Sequence, residues 1–353
     1  MKKETKKILV TGGAGYIGSH TAVELIEKGY DVVLVDDLSN SHLNSLKGIE
    51  NITGVKPTFE RFDLCDADRL EEFFSRHHDV DAIIHFAASK AVGESVEKPL
   101  KYYTNNIAPL TNLLAAMKRY DIPNFVFSSS CTVYGEPDTL PVTEQSPIKP
   151  AISPYGNTKQ IGEEILSDTS YSDEFYNTIA LRYFNPIGAH ASAEIGELPL
   201  GVPANLVPFI TQTAIGIREC LSVFGDDYGT PDGSCIRDYI HVVDLAKAHV
   251  IAVERLIAGN NKKGFEVFNL GTGTGTSVLE AIKSFEKVSG QSLNYKIVPR
   301  REGDIEKVYA DTTFANDELG WKSEKDLDEM MASAWKWELR LKEEREKTTP
   351  QEA

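Results

Sequence analysis

Cysteine is scarce and scattered. Cys65, Cys131, Cys220 and Cys235 are the only four in 353 residues, and no two form a CxxC pair. A disulfide framework is therefore not expected, and reduced thiols in a cytoplasmic chain are. Positive charge is also in deficit. The 37 Lys and Arg against 53 Asp and Glu leave a formal net charge of -16. Phosphate backbones attract basic surfaces, so nucleic acid is not expected as a partner. No apolar run approaches the length of a membrane span, and the early run Ile8-Leu9-Val10 is too short for a secretory leader. No membrane association is expected. His, Cys and Asp never fall at metal-ligand spacing, the GxSxG elbow of hydrolases is missing, and no internal repeat is visible. His85 and His241 lie in apolar strand patterns and read as packing residues, whereas His77 and His78 end a charged helix and read as exposed.

Hydrophobic residues make up 41 % and charged residues 25 %, the mix of a soluble globular enzyme, and 353 residues suit two domains. As far as about residue 190, short apolar runs alternate with amphipathic stretches. The pattern predicts strands over 7–10, 31–35, 82–86, 125–128 and 178–181, and helices over 17–28, 66–76, 100–120 and 155–166. Gly29 follows the first helix as a C-terminal cap. Strand–helix alternation at this spacing predicts an α/β fold with a parallel sheet covered on both faces. From Pro186 the texture changes. Residues 188–208 hold three glycines and three prolines and read as a long loop opening a smaller α+β domain. Residues 271–275 (Gly-Thr-Gly-Thr-Gly) read as a turn before a helix starting at Thr276. The tail from Lys342 is nearly all charge and is expected to fray.

Val10-Thr11-Gly12-Gly13-Ala14-Gly15-Tyr16-Ile17-Gly18 follows a predicted strand and opens a helix. Glycines at 12, 15 and 18 allow a tight turn, close backbone approach to a pyrophosphate, and close helix–strand packing. The helix N-terminus then faces the phosphates. The next strand ends in Asp36-Asp37, where a carboxylate can bond a ribose 2′-hydroxyl and repel the extra phosphate of NADP. NAD is the expected cofactor.

Tyr155-Gly156-Asn157-Thr158-Lys159 places Tyr155 and Lys159 on one helical face, behind Ser153 as N-cap and Pro154 in the first turn. A free tyrosine titrates near pH 10, too high for a base at neutral pH. A nearby ammonium and a positive nicotinamide ring both favour phenolate, and a shift of ~3 units asks for roughly 4 kcal/mol. Ser128-Ser129-Ser130-Cys131-Thr132 follows a predicted strand, at the carboxyl end where open α/β sheets bind ligands. A hydroxyl there can bridge a reacting oxygen and the tyrosine.

Together these residues resemble the extended short-chain dehydrogenase/reductase superfamily and, within it, the UDP-glucose (UDP-galactose) 4-epimerase family. The resemblance runs from Ile8 to about Trp321. It includes His85-Phe86-Ala87-Ala88-Ser89-Lys90-Ala91-Val92-Gly93-Glu94-Ser95, Leu181-Arg182-Tyr183-Phe184-Asn185-Pro186 and Arg237-Asp238-Tyr239-Ile240-His241-Val242. It implies a doubly wound Rossmann domain over 1–186 with returning segments near 236–270, a UDP-sugar domain over 187–341, and a tail over 342–353. It implies reversible epimerisation at C4 of a UDP-hexose through a 4-keto intermediate, with Tyr155, Lys159, Ser130 and Thr132 as the catalytic set. By the same resemblance the NAD site takes Gly12, Gly15, Tyr16, Ile17, Gly18, Asp36, Asp37, Asn40, Ser41, Asp63, Leu64, Phe86, Ala87, Ala88, Lys90, Asn105, Tyr183 and Phe184, besides Ser130, Tyr155 and Lys159. The UDP-sugar would meet Lys90, Ser130, Tyr155, Asn185, Asn205, Leu206, Phe224, Arg237, Tyr239, Arg301, Asp304 and Val308. Two arginines suit a diphosphate, since guanidinium forks bind its oxygens bidentately. Val308 falls at the family's gatekeeper position beside the sugar, and its small size implies acceptance of 2-acetamido sugars. The helices over 100–117 and 155–166 would pair across a homodimer as a four-helix bundle.

Other readings stay open. A 4,6-dehydratase of the superfamily would carry an Asp-Glu pair after the threonine, whereas Thr132 is followed by Val133-Tyr134. A UDP-uronate 4-epimerase is not separated by these residues. A non-catalytic NAD-binding regulator would not need Ser130, Tyr155 and Lys159 together.

Overall fold

The computed structural model describes residues 5–301 and 304–348. The chain begins β1 (Lys7–Thr11), α1 (Tyr16–Glu27), β2 (Asp31–Asp36), α2 (Asn44–Thr53), β3 (Thr58–Arg61), α3 (Ala67–Arg76) and β4 (Ala82–His85). It continues through α4 (Val92–Glu97), α5 (Pro99–Arg119), β5 (Asn124–Ser128), a 3-10 turn (Cys131–Tyr134), α6 (Pro154–Ser172) and β6 (Asn177–Tyr183). Then follow β7 (Asn185–Ile187), α7 (Leu206–Ala214), β8 (Leu221–Phe224), β9 (Ile236–His241), α8 (Val242–Ile257) and β10 (Phe265–Leu270). The chain closes with β11 (Gly275–Ser277), α9 (Val278–Ser289), β12 (Tyr295–Val298), β13 (Lys307–Val308), a π-turn (Ala315–Leu319) and α10 (Leu327–Thr348).

Seven strands form one parallel sheet in the order β10-β6-β5-β4-β1-β2-β3. Side chains alternate faces along each strand, and both faces are buried, so the strands read as continuous apolar runs. Ile8, Val10, Val32, Leu34, Ile84 and Val126 meet α1 and α8 on one side. Leu9, Val33, Ile83, Phe125 and Phe127 meet α3, α5 and α6 on the other. Strand order reverses between β1 and β4, which opens a crevice at their carboxyl ends. A smaller unit joins β7, β9, β11 and β13 with the β8–β12 pair, and packs α7, α9 and α10 over Ile210, Val223, Ile282, Phe285 and Met331.

Some expectations are corrected. The pattern did not show β3 or α2. Strand β3 is a partly exposed edge strand, Thr-Phe-Glu-Arg, too polar to stand out. The helix expected from Thr276 begins at Val278, because Ser277 caps it in a capping box with Glu280 and Thr276 belongs to β11. The returning segment is α8 and β10, whereas β9 pairs within the small sheet. The charged tail is helical as far as residue 348, braced by Arg340–Glu344 and Lys342–Glu346 pairs one turn apart, and 349–353 lie outside the described residues. His77 is only partly exposed. It stacks on Phe73 and bonds Glu60 at 2.9 Å.

Candidate functional site

The glycine-rich turn sits in the crevice between β1 and β4. Gly12 has φ +67°, and a Cβ there would meet the Ala87 backbone N at 2.8 Å, so the turn lies hard against the end of β4. A Cβ on Gly18 would meet the Gly12 carbonyl at 2.2 Å, which brings α1 close to the turn. At Gly15 a Cβ would touch only the Gly12 carbonyl, at 3.1 Å. The outer face of the turn is thus clear for a phosphate, in line with the first amides of α1. Gly15 itself caps α1 with no side-chain bond.

Asp36 ends β2 beside this turn and is nearly buried. Its carboxylate accepts from Ala14 N (3.1 Å), Leu38 N (2.9 Å) and Ser41 Oγ (2.7 Å). Burial raises its pKa, and these three donors act the other way. Asp37 accepts from Ser39, Asn40 is exposed, and Tyr16 donates to the Gly188 carbonyl at 2.6 Å, which ties the turn to the 188–205 loop. Ile17 packs against the core facing α1. Asp63 turns the chain after β3 by accepting Cys65 N at 2.8 Å, with Leu64 buried behind it. Phe86, Ala87 and Ala88 leave β4 over the crevice, and Phe86 lies against His249 at 4.5 Å. Asn105 bonds Asn106 at 3.1 Å. The segment is pinned by Asn106, which takes Ser89 N at 2.8 Å and donates to Ser89 O and Thr158 Oγ1 at 3.0 Å each. A dinucleotide fits these residues.

The reactive constellation lies at the end of β5. Ser153 caps α6 by accepting Gly156 N at 3.2 Å, with Pro154 in the first turn, so Tyr155 enters the site from a fixed helix start. Tyr155 and Lys159 are buried on one face of α6. Lys159 Nζ donates to the Ser128 carbonyl at 2.6 Å and stands 4.8 Å over the Phe127 ring and 5.9 Å from the Tyr155 ring centre. Burial lowers the Lys159 pKa to about 8, while Glu163 works to raise it. Burial also pushes Tyr155 well above its ordinary value near 10, reinforced by Tyr183 and opposed by Ser130. Burial therefore opposes the phenolate, and positive charge placed beside the phenol favours it. Ser130 Oγ accepts Thr132 N at 3.2 Å. Thr132 Oγ1 is buried without a hydrogen-bond partner, an unusual state for a hydroxyl and one that a ligand oxygen would relieve. Tyr183 bonds Ser128 at 2.6 Å. Phe184 and Val308 share an apolar cluster with Val133, Tyr134, Val142 and Ala310.

The second unit supplies cations opposite. Arg237 on β9 and Arg301 beyond β12 both reach Asp304, at 3.9 and 2.7 Å, and Arg301 stands 5.4 Å over the exposed Phe224 ring. Asn185 and Asn205 precede or start elements of this unit. Asn205 does not cap α7 but donates to Glu197 at 2.5 Å, and Lys90 reaches the same oxygen at 3.3 Å. The first amides of α7, from Leu206, are left uncapped by a side chain. Tyr239 differs from the rest, since its ring is buried in the apolar cluster of the second unit.

Sequence reasoning did not single out several supporting residues. Asp238 is fully buried and accepts from Thr272, Gly273 and Ala310, which fixes β9 with Arg237 against β13 with Val308. Glu163 and Arg182 form a buried pair beneath the strand end. One signal was available for Asp238 and Arg182, charged residues inside apolar strand patterns; Glu163 lies in a polar stretch of α6 and gave none.

A family model for GDP-mannose 4,6 dehydratase matches residues 9–334. The UDP-glucose 4-epimerase of Bacillus subtilis (strain 168) is 51 % identical over 331 residues, covering 94 % of this chain and 96 % of its own. Among solved structures, the UDP-glucose 4-epimerase from Bifidobacterium longum in complex with NAD+ and UDP superposes with a TM-score of 0.91 at 47 % identity, covering 95 % of this chain and 98 % of that one. The enzyme from Stenotrophomonas maltophila, with bound NAD and formylated UDP-arabinopyranose, gives 0.92 at 47 % identity, with 96 % and 99 % covered. With its crevice, its Tyr155–Lys159 helix and its arginine pair in this arrangement, the chain belongs to the UDP-glucose 4-epimerase family.

Proposed function

We propose that the protein interconverts UDP-glucose and UDP-galactose by inversion at the sugar C4 through a 4-keto intermediate, using NAD. The observation that carries this reading is the buried Tyr155–Lys159 pair on α6 beside Ser130 and the unpartnered Thr132 hydroxyl. A bound NAD would supply a reversible hydride acceptor for the sugar C4 hydrogen. Tyr155 takes the proton of the 4-hydroxyl as the C4–H bond breaks and returns it when that bond re-forms. Ser130 and Thr132 hold the reacting oxygen. Lys159, which donates to the Ser128 carbonyl, would also hold the ribose of a bound NAD and favour the tyrosinate. Its ammonium and the nicotinamide cation together offset the burial that raises Tyr155. Gly12, Gly15 and Gly18 would carry the pyrophosphate of NAD, and Asp36 its adenosine ribose.

The first unit, residues 1–186 with α8 and β10, would hold NAD, and the remainder to 341 the UDP-sugar. Arg237 and Arg301 anchor the diphosphate with Asn185, the start of α7 and Phe224 beside it. With the diphosphate anchored, the ketose can turn about its glycosidic link and present its other face. An NMR time course with UDP-galactose and no added reductant tests the reaction. Appearance of UDP-glucose supports it, and no conversion with NAD confirmed bound would refute it.

Val308 extends the reading to 2-acetamido sugars. It is short, buried, and beside Phe184 in the site's apolar cluster. UDP-N-acetylgalactosamine should be converted by the native protein and rejected by Val308→Tyr, which keeps UDP-galactose turnover. Equal handling of the acetamido sugar by both would remove this assignment. Helices α5 and α6 would also pair with a second copy as a four-helix bundle, and Leu100 at the start of α5 is strongly exposed for an apolar side chain. Sedimentation at micromolar concentration should return twice the chain mass, and a monomer would remove the dimer.

A further inference from the structure

Beneath the reactive hydroxyls lies a buried charge pair that the proposed reaction does not use. Tyr155, Lys159 and Glu163 recur at one-turn intervals on α6 and lie on one face. Glu163 Oε1 accepts from Ser129 Oγ at 2.5 Å and from Arg182 Nε at 2.9 Å, and its other oxygen accepts Arg182 Nη2 at 2.5 Å. Both side chains are less than a tenth exposed. Arg182 continues to the Tyr134 hydroxyl at 3.0 Å, and Tyr134 donates to Asn269 at 2.6 Å. The strand end is therefore gripped three times by α6 or its partners. The Ser128 carbonyl accepts Lys159, Ser129 donates to Glu163, and Ser130 stands against Tyr155.

We propose that Glu163 is a positioning residue for the epimerisation, one that fastens Ser129, and with it Ser130, to α6 and holds Lys159 as an ammonium. This rests on the proposed function only for its kinetic readout. His85 on β4 also faces Lys159 and is neutral at working pH; Tyr102 on α5, Tyr183 on β6 and Cys131 after β5, which surround Tyr155, are held protonated by burial. Arg182 is cationic, and its charge is taken up by Glu163. Among them Glu163 is the anion placed to favour the charged lysine, against burial that lowers it. A neutral Lys159 would leave Tyr155 without one of its two cations.

Full-length protein with NAD tests this in two variants, Glu163→Gln and Glu163→Gln/Arg182→Met, with Lys159→Met as control. In Glu163→Gln the alkaline limb of the kcat profile for UDP-galactose should move down by about one pH unit, with kcat about tenfold lower beyond it and KM within about twofold. The double variant leaves no unpaired guanidinium. It should regain the native unfolding temperature yet keep the displaced limb. A limb that returns to the native position in the double variant would mean that Glu163 only neutralises Arg182, and would overturn the proposal. So would an unmoved limb in Glu163→Gln, and if that variant does not fold the double variant decides alone. If the native protein turns over no UDP-galactose, the proposed reaction fails but this proposal is still decided by unfolding. Measured relative to Lys159→Met, stability should rise with pH as Lys159 loses its proton, beginning about one pH unit lower in the double variant. The same onset in double variant and native protein overturns it.

Discussion

Burial at single residues works against the chemistry it encloses. Tyr155 and Lys159 are both buried, and each is driven toward its neutral form. In a site built this way, positive charge beside the phenol favours the phenolate that burial opposes, so a bound NAD would favour proton transfer there. Replacing Tyr155 by Phe keeps the ring that fills the site and removes only the hydroxyl. Turnover of UDP-galactose should fall by about 10²- to 10⁴-fold while the unfolding temperature holds, as NMR and calorimetry would show. Residues outside the chemistry titrate too. Burial lowers His20 and His85 to about 3 and His241 and His249 to about 4, against an ordinary value of 6.5. Folded pKa values below the unfolded ones mean stability that is fully present above 6.5 and lost as pH falls toward 4 and 3. The unfolding temperature should drop steeply across that window, and a flat profile from pH 7 to 4 would contradict the burial of these rings.

Elements place these residues through their ends. Tyr155 is the second residue of α6, so the Ser153 cap sets its position directly. Ser153→Ala should cost about 1 kcal/mol in chemical unfolding and lower kcat more than KM, because the first turn frays where the phenol is attached. At the start of α1 the constraint is steric. Gly18→Ala puts a methyl 2.2 Å from the Gly12 carbonyl, and backbone has no room to yield. Protein purified with this change should release far less NAD on denaturation than the native chain. Normal NAD content would show that α1 can shift without loss of the cradle.

At the scale of the molecule, the proposed site draws residues from both units. Loop 188–205 ties to the first unit through Tyr16 and Asn51, and α10 braces that loop. Trp337 on α10 donates to the Glu197 carbonyl at 2.9 Å and lies where a Cβ on Gly196 would fall. Trp337→Ala should destabilise by about 3 kcal/mol or more and raise KM for UDP-galactose, with the chemistry at Tyr155 retained. A large loss of kcat at unchanged KM would instead place the effect in the first unit.

Strand–helix alternation, the Gly12–Gly15–Gly18 spacing and the Tyr155–Lys159 interval were legible because each follows from local geometry. The period of a strand, the pitch of a helix and the room a phosphate needs are all written within a few neighbouring residues. Edge strand β3 was not legible, because its polar side chains break the apolar pattern. Tertiary structure alone decided what happens between distant segments. It brought Arg237 to the Arg301–Asp304 pair, turned Asn205 toward Glu197 rather than the α7 amides, buried Tyr239, and set Glu163 against Arg182. No local pattern records such pairings, because burial and charge partnership depend on which surfaces the folded chain presses together. The chain's own pattern determined that a dinucleotide cradle and a tyrosine–lysine helix would form. Burial inside the first unit shifted their pKa values, and the second unit brought Arg237 and Arg301 opposite them.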